Sequence, residues 1–165
     1  MFPKPIQEKA QKVLKKYREA GHKIVTAESC TGGLVGGALT QIPGSSAVVE
    51  CGFITYSNAA KQALLGVEPS ILKEHGAVSE ETAAYMAIGA LEFTEAEISI
   101  AVTGIAGPDG GSKEKPVGTV WFAVGIVKDD DVDVHTGQYF FEGDRNDIRM
   151  GAVDTALALL LEILN

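Results

Sequence analysis

Residues 28–33, which read Glu-Ser-Cys-Thr-Gly-Gly, place a carboxylate, two hydroxyls, a thiol and two glycines within six positions. The apolar run 23–27 before them predicts a buried strand, and the small-residue run after them predicts a helix over about 31–41. A strand that turns into a helix points the first unpaired N–H groups of that helix at the turn. Such a turn suits a nucleophile or an anion. The simpler interpretation, favoured for this stretch alone, is that Ser29 or Thr31 caps the helix.

A nucleophilic Ser29 would need a base, because a free serine hydroxyl reacts poorly. The three histidines are scattered and show neither triad nor metal-ligand spacing. Lysine can serve when burial lowers its pKa, and Lys61 lies one turn into a predicted helix after a strand that ends at Tyr56. If the first two strands are parallel, the three side chains meet at one sheet edge, where Tyr56 could hold the lysine or relay its proton. Considered alone, Lys61 is more simply a solvated helix lysine.

A glycine-rich loop from residue 104 to 118 is the second unusual stretch. Loops of this length within a compact domain are usually functional or disordered. The phosphate-binding pattern Gly-x4-Gly-Lys-Ser/Thr is absent from it. The acidic run 129–131 lacks the glycine and distant glutamate of a calcium loop, so a hairpin turn is favoured there.

The composition fits one enzyme-sized domain. The chain has 165 residues and a net charge of −8, which argues against a general nucleic-acid binder. It shows no signal-peptide pattern and no apolar run of about 20 residues that could cross a membrane. Cys30 and Cys51 are the only cysteines, and we expect both to be reduced thiols in the cytoplasm.

The order of the predicted elements gives the fold class. Strand–helix units come first, then two strands joined by a short turn, which must be antiparallel, and then a long helix. We therefore expect a single α/β domain over residues 1–165, a three-layer α/β/α sandwich with a mixed sheet of about five strands. The predicted strands are 23–27, 48–56, 97–103, 119–128 and 132–141, and the predicted helices are 6–20, 31–41, 57–66, 69–74, 79–93 and 144–164.

Four motifs, in this order and spacing, resemble the CinA C-terminal domain family. They are Ala-Glu-Ser-Cys-Thr-Gly-Gly at 27–33, Tyr-Ser-Asn-Ala-Ala-Lys at 56–61, Thr-Gly-Ile-Ala-Gly-Pro at 103–108 and Lys-Pro-Val-Gly-Thr-Val at 115–120. The resemblance runs from about residue 5 to 163. It implies a bacterial, cytoplasmic amidase of pyridine-nucleotide salvage, which hydrolyses nicotinamide mononucleotide to nicotinate mononucleotide and ammonia. It also implies a nucleophile at Ser29, helped by Lys61 and Tyr56, without a metal or other cofactor.

The resemblance also suggests where the substrate binds. N–H groups near Thr31, Gly32 and Gly33, or from the Thr103-Gly104 turn, could stabilise the oxyanion. The loop from residue 104 to 111 would line the nucleotide pocket, including Ala106 and Gly107, with Asp109 where some members have glycine. Arg145 and Arg149 are four apart on the last helix, so they share a face and could hold a phosphate. The equally weighted alternative is that they pair with Asp144, Asp147 or Glu142.

Other functions fit the same residues. A non-catalytic nucleotide-binding module would use Ser29 as a cap and Lys61 as a phosphate contact, and a metal-dependent hydrolase is a third hypothesis. The expected partner is a small mononucleotide, with neither nucleic acid nor a membrane involved. A homodimer through the antiparallel strand pair or the apolar segment 156–164 is a further expectation, although core burial explains these segments as well.

Overall fold

A five-stranded sheet separates two layers of helices in the computed structural model, which describes residues 2–164. The helices are α1 (Lys4–Ala20), α2 (Leu34–Thr40), α3 (Asn58–Leu65), α4 (Pro69–His75), α5 (Glu80–Glu92) and α6 (Arg145–Glu162). The strands are β1 (Ile24–Glu28), β2 (Val49–Ile54), β3 (Ile98–Gly104), β4 (Thr119–Lys128) and β5 (Asp131–Phe140). The predicted α/β sandwich with a mixed sheet is confirmed.

The strand order β2-β1-β3-β4-β5 brings three parallel strand ends together. Strand β1 pairs in parallel with β2 on one side and β3 on the other, whereas β4 and β5 are antiparallel. The carboxyl ends of β1, β2 and β3 therefore lie at one edge of the sheet, as the convergence of the motifs required. Strand β2 is an edge strand and is held by β1 alone.

Each face of the sheet has its own hydrophobic core. One core packs α1, α2 and α6 against the sheet, and the other packs α3, α4 and α5. Strand β1 faces both, with Ile24 in the first core and Val25 and Ala27 in the second. All five residues of β1 are buried, which is the pattern of a strand covered on both faces.

Capping residues lie at the ends of two predicted helices, 57–66 and 79–93. The Ser57 hydroxyl accepts a hydrogen bond from the Ala60 N–H, and α3 ends at Gly66, whose φ of 64° is left-handed. Ser79 caps α5 in the same way, with its hydroxyl accepting from the Thr82 N–H. These caps set the start of the helix that carries Lys61 and of the helix packed beneath it.

The start of α2 departs from the prediction. The helix begins at Leu34 rather than near residue 31, and neither Ser29 nor Thr31 caps it. Instead the Glu28 carboxylate, 1% exposed, accepts hydrogen bonds from three N–H groups, at 3.0 Å from Gly33, 3.0 Å from Val35 and 2.8 Å from Gly36. A carboxylate at a helix N-terminus is favoured by both the unpaired donors and the helix dipole.

Helix α5 approaches α3 unusually closely at Gly89. A Cβ atom at this position would lie 1.9 Å from the Leu65 carbonyl oxygen, so glycine is required there. The contact seats the C-terminal end of α3, and with it Lys61, against the neighbouring helix.

The apolar final segment is used mainly inside the molecule. Ala156, Leu157 and Leu160 of α6 are fully buried in the core shared with α1. Core packing therefore accounts for much of the segment that was considered as a dimer face. Among residues 2–164, no helix is both long and apolar enough to cross a membrane.

We predict that Glu28→Gln lowers the free energy of unfolding by about 1–3 kcal/mol, because the neutral amide presents one acceptor oxygen to three donors that lie in buried or partly buried positions. Urea denaturation followed by circular dichroism measures this change. Glu8→Gln is the matched control, because Glu8 is an exposed partner of Lys4 and its loss should cost less than about 1 kcal/mol. Equal losses in the two variants would contradict the role given to Glu28.

Candidate active site

The strand ends place the predicted nucleophile and base on neighbouring strands. Ser29 directly follows β1, and its N–H donates to the Val102 carbonyl of β3 at 2.9 Å. Thr55 directly follows β2, and its N–H donates to the Glu28 carbonyl at 2.8 Å. These bonds extend the parallel ladder by one residue on each side of β1, so the turn after β1 and the segment leading to α3 are held in register.

Lys61 reaches across from α3 to the serine. Its Nζ lies 2.9 Å from Ser29 Oγ and 2.7 Å from the Thr55 carbonyl oxygen, to which it donates a hydrogen bond. Lys61 is 1% exposed and Ser29 is 8% exposed. Lys61 is therefore a buried residue in direct contact with the serine hydroxyl and is not a solvated helix lysine.

Burial lowers the pKa of Lys61 to about 8, because the charged amine loses its hydration there. None of the carboxylates in residues 2–164 forms an ion pair with it. The adjacent Cys30 thiol has its pKa raised to about 11, again chiefly by burial, and is therefore neutral near pH 7. With a pKa near 8, roughly a tenth of Lys61 is the neutral amine at pH 7 and about half at pH 8, so the site holds a usable base.

Tyr56 lies in the same pocket but has a different partner from the one predicted. Its hydroxyl accepts a hydrogen bond from Arg145 Nη2 at 2.8 Å, and its side chain is 59% exposed. Within the described chain no hydrogen bond joins Tyr56 to Lys61 or Ser29. The Thr55 carbonyl holds the lysine instead, so the interpretation that Tyr56 holds it is corrected.

The serine and lysine open into a pocket of about 200 Å³. Its far wall comes from Thr103, Gly104 and Ala106 at the end of β3, and its roof comes from the connector before α5. The Thr103 hydroxyl donates to the Ala77 carbonyl of that connector at 2.6 Å. Thr103 therefore joins two walls of the pocket. Gly107, in contrast, takes part only through its carbonyl, which accepts a hydrogen bond from Arg145 Nη1 at 2.8 Å.

Two of the predicted oxyanion donors are already engaged. The Gly32 N–H donates to the Ser29 carbonyl at 3.0 Å, and the Gly33 N–H donates to Glu28. The Thr31 N–H has no acceptor among residues 2–164. Gly104 occupies a non-hydrogen-bonded position opposite β4, since the next residue, Ile105, donates to Thr119. The alternation of an antiparallel pair therefore turns the Gly104 N–H toward the side of β1 and Ser29.

A larger cavity of about 640 Å³ adjoins the first. The two cavities share Ala106 and Arg145, and Arg149 and Asn146 of α6 also line the larger one. Asp109 is exposed and lines neither cavity, so the acid that replaces a family glycine does not enter the pocket walls.

The two arginines bind backbone carbonyls rather than neighbouring acids. Arg149 donates from Nε to the Cys30 carbonyl at 3.1 Å and from Nη2 to the Thr31 carbonyl at 3.0 Å. Asp144 and Asp147 instead cap α6, each accepting N–H bonds from the first turn or the cap residue. The alternative in which the arginines pair with these acids or with Glu142 is therefore wrong for the part of the chain that the structure describes.

The capping carboxylate of Glu28 and the carbonyl contacts of Arg149 were missed by sequence reasoning. Glu28 lies six residues before Leu34, the first residue of α2, so no capping rule that acts over one turn could have assigned it. No local pattern could have paired Arg149 with the turn, because the contact spans more than a hundred residues. Among residues 2–164 there is no group of three or more His, Cys, Asp or Glu residues placed to hold a metal ion.

Comparison with known proteins agrees with this architecture. The family model for the CinA C-terminal domain matches residues 6–164. The nicotinamide-nucleotide amidohydrolase PncC of Escherichia coli strain K12 is 45% identical over 160 residues, which are 97% of this chain and 95% of that protein. The PncC of Enterobacter agglomerans is 46% identical over 161 residues, 98% of this chain and 96% of that one.

The fold has a close counterpart among solved structures. The competence/damage inducible protein CihA from Agrobacterium tumefaciens superposes with a TM-score of 0.93 at 47% identity, covering 100% of this chain and 99% of that one. The family model and the full-length relatives together cover both cavities and every motif described above. The chain belongs to the CinA C-terminal domain family.

Proposed function

We propose that this chain is an amidohydrolase that converts nicotinamide mononucleotide to nicotinate mononucleotide and ammonia. The observation that carries the proposal is the 2.9 Å contact between Lys61 Nζ and Ser29 Oγ in a buried pocket next to an arginine-lined cavity. Full-length relatives at 45–46% identity bear the name nicotinamide-nucleotide amidohydrolase, which supports the same reaction here. In a bacterial cell it would serve pyridine-nucleotide salvage in the cytoplasm.

Acylation begins with the neutral form of Lys61. The amine accepts the proton of Ser29 as the serine oxygen attacks the carboxamide carbon, forming a tetrahedral intermediate. Lys61, now an ammonium group, then donates that proton to the amide nitrogen, which leaves as ammonia. The product is an ester between Ser29 and the nicotinoyl group.

Deacylation uses the same base on water. Neutral Lys61 takes a proton from a water molecule as its oxygen attacks the ester carbonyl, and the second tetrahedral intermediate then collapses. Protonated Lys61 returns the proton to the Ser29 oxygen, which leaves. The carboxylic acid product loses its own proton to solvent and departs as the carboxylate. One base near both the nucleophile and the leaving group therefore serves both halves of the reaction.

The backbone supplies the groups that stabilise the oxyanion in this proposal. The Gly104 N–H faces the side of Ser29, and the Thr31 N–H has no other acceptor among the described residues. Each well-placed donor of this kind is typically worth about 3 kcal/mol of transition-state stabilisation. A Cβ at Gly104 would lie 2.7 Å from Val120 Cγ2, so this position must remain glycine.

The larger cavity would hold the ribose and phosphate. It lies beside the carboxamide pocket, and α6 presents Arg145 and Arg149 to it. Guanidinium groups recognise phosphate through paired hydrogen bonds, and local positive charge suffices even in a chain of net charge −8. Tyr56, through its bond to Arg145, supports the arginine at the boundary between the two cavities. Assistance of Tyr56 to Lys61 remains a prediction. A homodimeric state also remains a prediction.

We predict that the purified protein releases ammonia from nicotinamide mononucleotide and that Ser29→Ala reduces kcat at least about 1,000-fold, because the change removes the hydroxyl that Lys61 contacts. A coupled ammonia assay measures the rate, and circular dichroism checks the fold. Ser70→Ala is the matched control, since Ser70 is exposed on α4 and its hydroxyl bonds the exposed Glu68 carboxylate, away from both cavities. It should retain the wild-type rate.

Two results would redirect the proposal. Binding of nicotinamide mononucleotide by calorimetry without any ammonia release would favour the non-catalytic nucleotide-binding module. Loss of activity on exhaustive chelation, with recovery on adding a divalent metal, would favour the metal-dependent hydrolase instead.

We predict that kcat/KM rises with pH through a midpoint near 8, because the reaction requires Lys61 without its proton and burial lowers its pKa to about 8. Below that midpoint the amine is charged and inactive as a base, so the rate should fall about tenfold per pH unit. Stopped assays across the pH range measure the profile.

Replacement of the lysine tests the same assignment. Lys61→Arg keeps a positive charge that does not titrate in this range, so kcat should fall by about 1,000-fold and the rising limb near pH 8 should vanish. Lys15→Arg, an exposed change on α1, should leave the profile as it was. A Lys61→Arg enzyme with near-normal turnover would show that another group is the base.

A further inference from the structure

We propose that Arg149 is a positioning residue that fixes the turn carrying Ser29, and that Arg145 is the arginine that recognises the phosphate. This inference rests on the proposed function. It separates two residues that the sequence treats as equivalent, since they are four apart on one face of the same helix. Their environments differ, because Arg145 is exposed at the boundary of the two cavities and Arg149 is half-buried against the turn.

Both hydrogen bonds that Arg149 donates within residues 2–164 go to the nucleophile turn. Nε and Nη2 donate to the carbonyls of Cys30 and Thr31, the two residues that directly follow Ser29. Nη2 also lies 3.4 Å from where a Cβ of Gly32 would stand, so the guanidinium packs against the turn itself. Gly32 has a left-handed φ of 59°, a backbone conformation that favours glycine. Because glycine has no side chain, the arginine can approach the turn closely here.

Two donors of one rigid guanidinium fix the relative position of two successive carbonyls. A lysine could replace the charge but not this paired geometry, because its ammonium is a point donor on a flexible stem. The Cys30 carbonyl belongs to the same peptide group as the Thr31 N–H. A hydrogen bond to that oxygen polarises the N–H, which strengthens it as a donor to the oxyanion.

Arg145 makes contacts of another kind. It donates to the Gly107 carbonyl on the glycine-rich loop and to the Tyr56 hydroxyl, and neither belongs to the nucleophile turn. The guanidinium lines both cavities, so a ligand that spans them must pass beside it. Loss of Arg145 should weaken phosphate binding without moving Ser29.

The test compares matched variants, Arg149→Lys and Arg145→Lys, on nicotinamide mononucleotide and on nicotinamide riboside, which lacks the phosphate. We expect Arg149→Lys to lower kcat about 10- to 100-fold on both compounds, with KM changed less than about threefold, since small displacements of a nucleophile cost about this much. Arg145→Lys should raise KM for the mononucleotide by a larger factor than KM for the riboside, because only the mononucleotide carries the phosphate.

A probe of the serine that needs neither compound keeps the inference separate from the proposed function. An alkyl fluorophosphonate labels an activated serine when Oγ displaces fluoride, and mass spectrometry gives the rate at Ser29. Labelling should slow about 10- to 100-fold in Arg149→Lys and stay at the wild-type rate in Lys15→Arg, the exposed change on α1. This result would stand even if the wild-type protein released no ammonia from the mononucleotide.

Two outcomes would overturn the inference. One is wild-type labelling of Ser29 in Arg149→Lys. The other is a defect confined to KM for the phosphorylated compound, which would make Arg149 a phosphate ligand. Arg149→Ala distinguishes loss of the two carbonyl contacts from damage to the whole fold. In this variant added methylguanidinium should restore labelling of Ser29, because a small cation can make the same two contacts. Absence of rescue in a variant with wild-type thermal unfolding would also count against the role.

Discussion

The hydrogen bonds of the buried Glu28 carboxylate fix the edge of the sheet where Ser29 and Lys61 meet. The carboxylate is buried where β1 ends, and it binds three N–H groups at the start of α2, so the strand and the helix are joined through one side chain. On its other side, the turn presents two carbonyls to Arg149. Glu28 thus binds N–H groups at the end of the turn and the start of α2, and Arg149 binds two carbonyl groups of the turn. Ser29, between them, is left to face Lys61.

The burial of Lys61 has opposite effects on stability and on reactivity. Removing an amine from water disfavours its charged form, which opposes folding near neutral pH, and the same effect favours the neutral amine that the proposed reaction requires. The surroundings limit the cost through the Thr55 carbonyl and the serine hydroxyl, both within hydrogen-bond distance of Nζ. Gly89 also helps to position Lys61, because the absence of a side chain at Gly89 lets α5 pack closely against α3, the helix that carries the lysine.

Local sequence patterns predicted most of the helices and strands correctly. The site contacts that they did not predict are between residues far apart in the sequence. The predicted helices 57–66 and 79–93 match α3 and α5 to within one residue at each end, because capping residues act over one turn of chain. The parallel pairing of β1 and β2 followed from their separation by a helix, and it brought Ser29 and Lys61 together as expected. Capping by Thr31 was wrong because the buried Glu28 competes for the same N–H groups. The partners of Tyr56 and Arg149 lie 89 to 119 residues away, and no spacing rule reaches that far.

The edge position of β2 has a consequence for how the site comes apart. The strand that leads to Lys61 is bonded to one neighbour only, whereas β1 and β3, which flank the Ser29 turn, are bonded on both sides. Partial opening that peels β2 and α3 from the sheet requires less free energy than global unfolding. Amide hydrogens of this segment should then exchange faster than those of β1, and the dyad would separate while most of the molecule is still native. The contact between Lys61 and Ser29 therefore depends on the local stability of one edge of the sheet as well as on the stability of the whole domain.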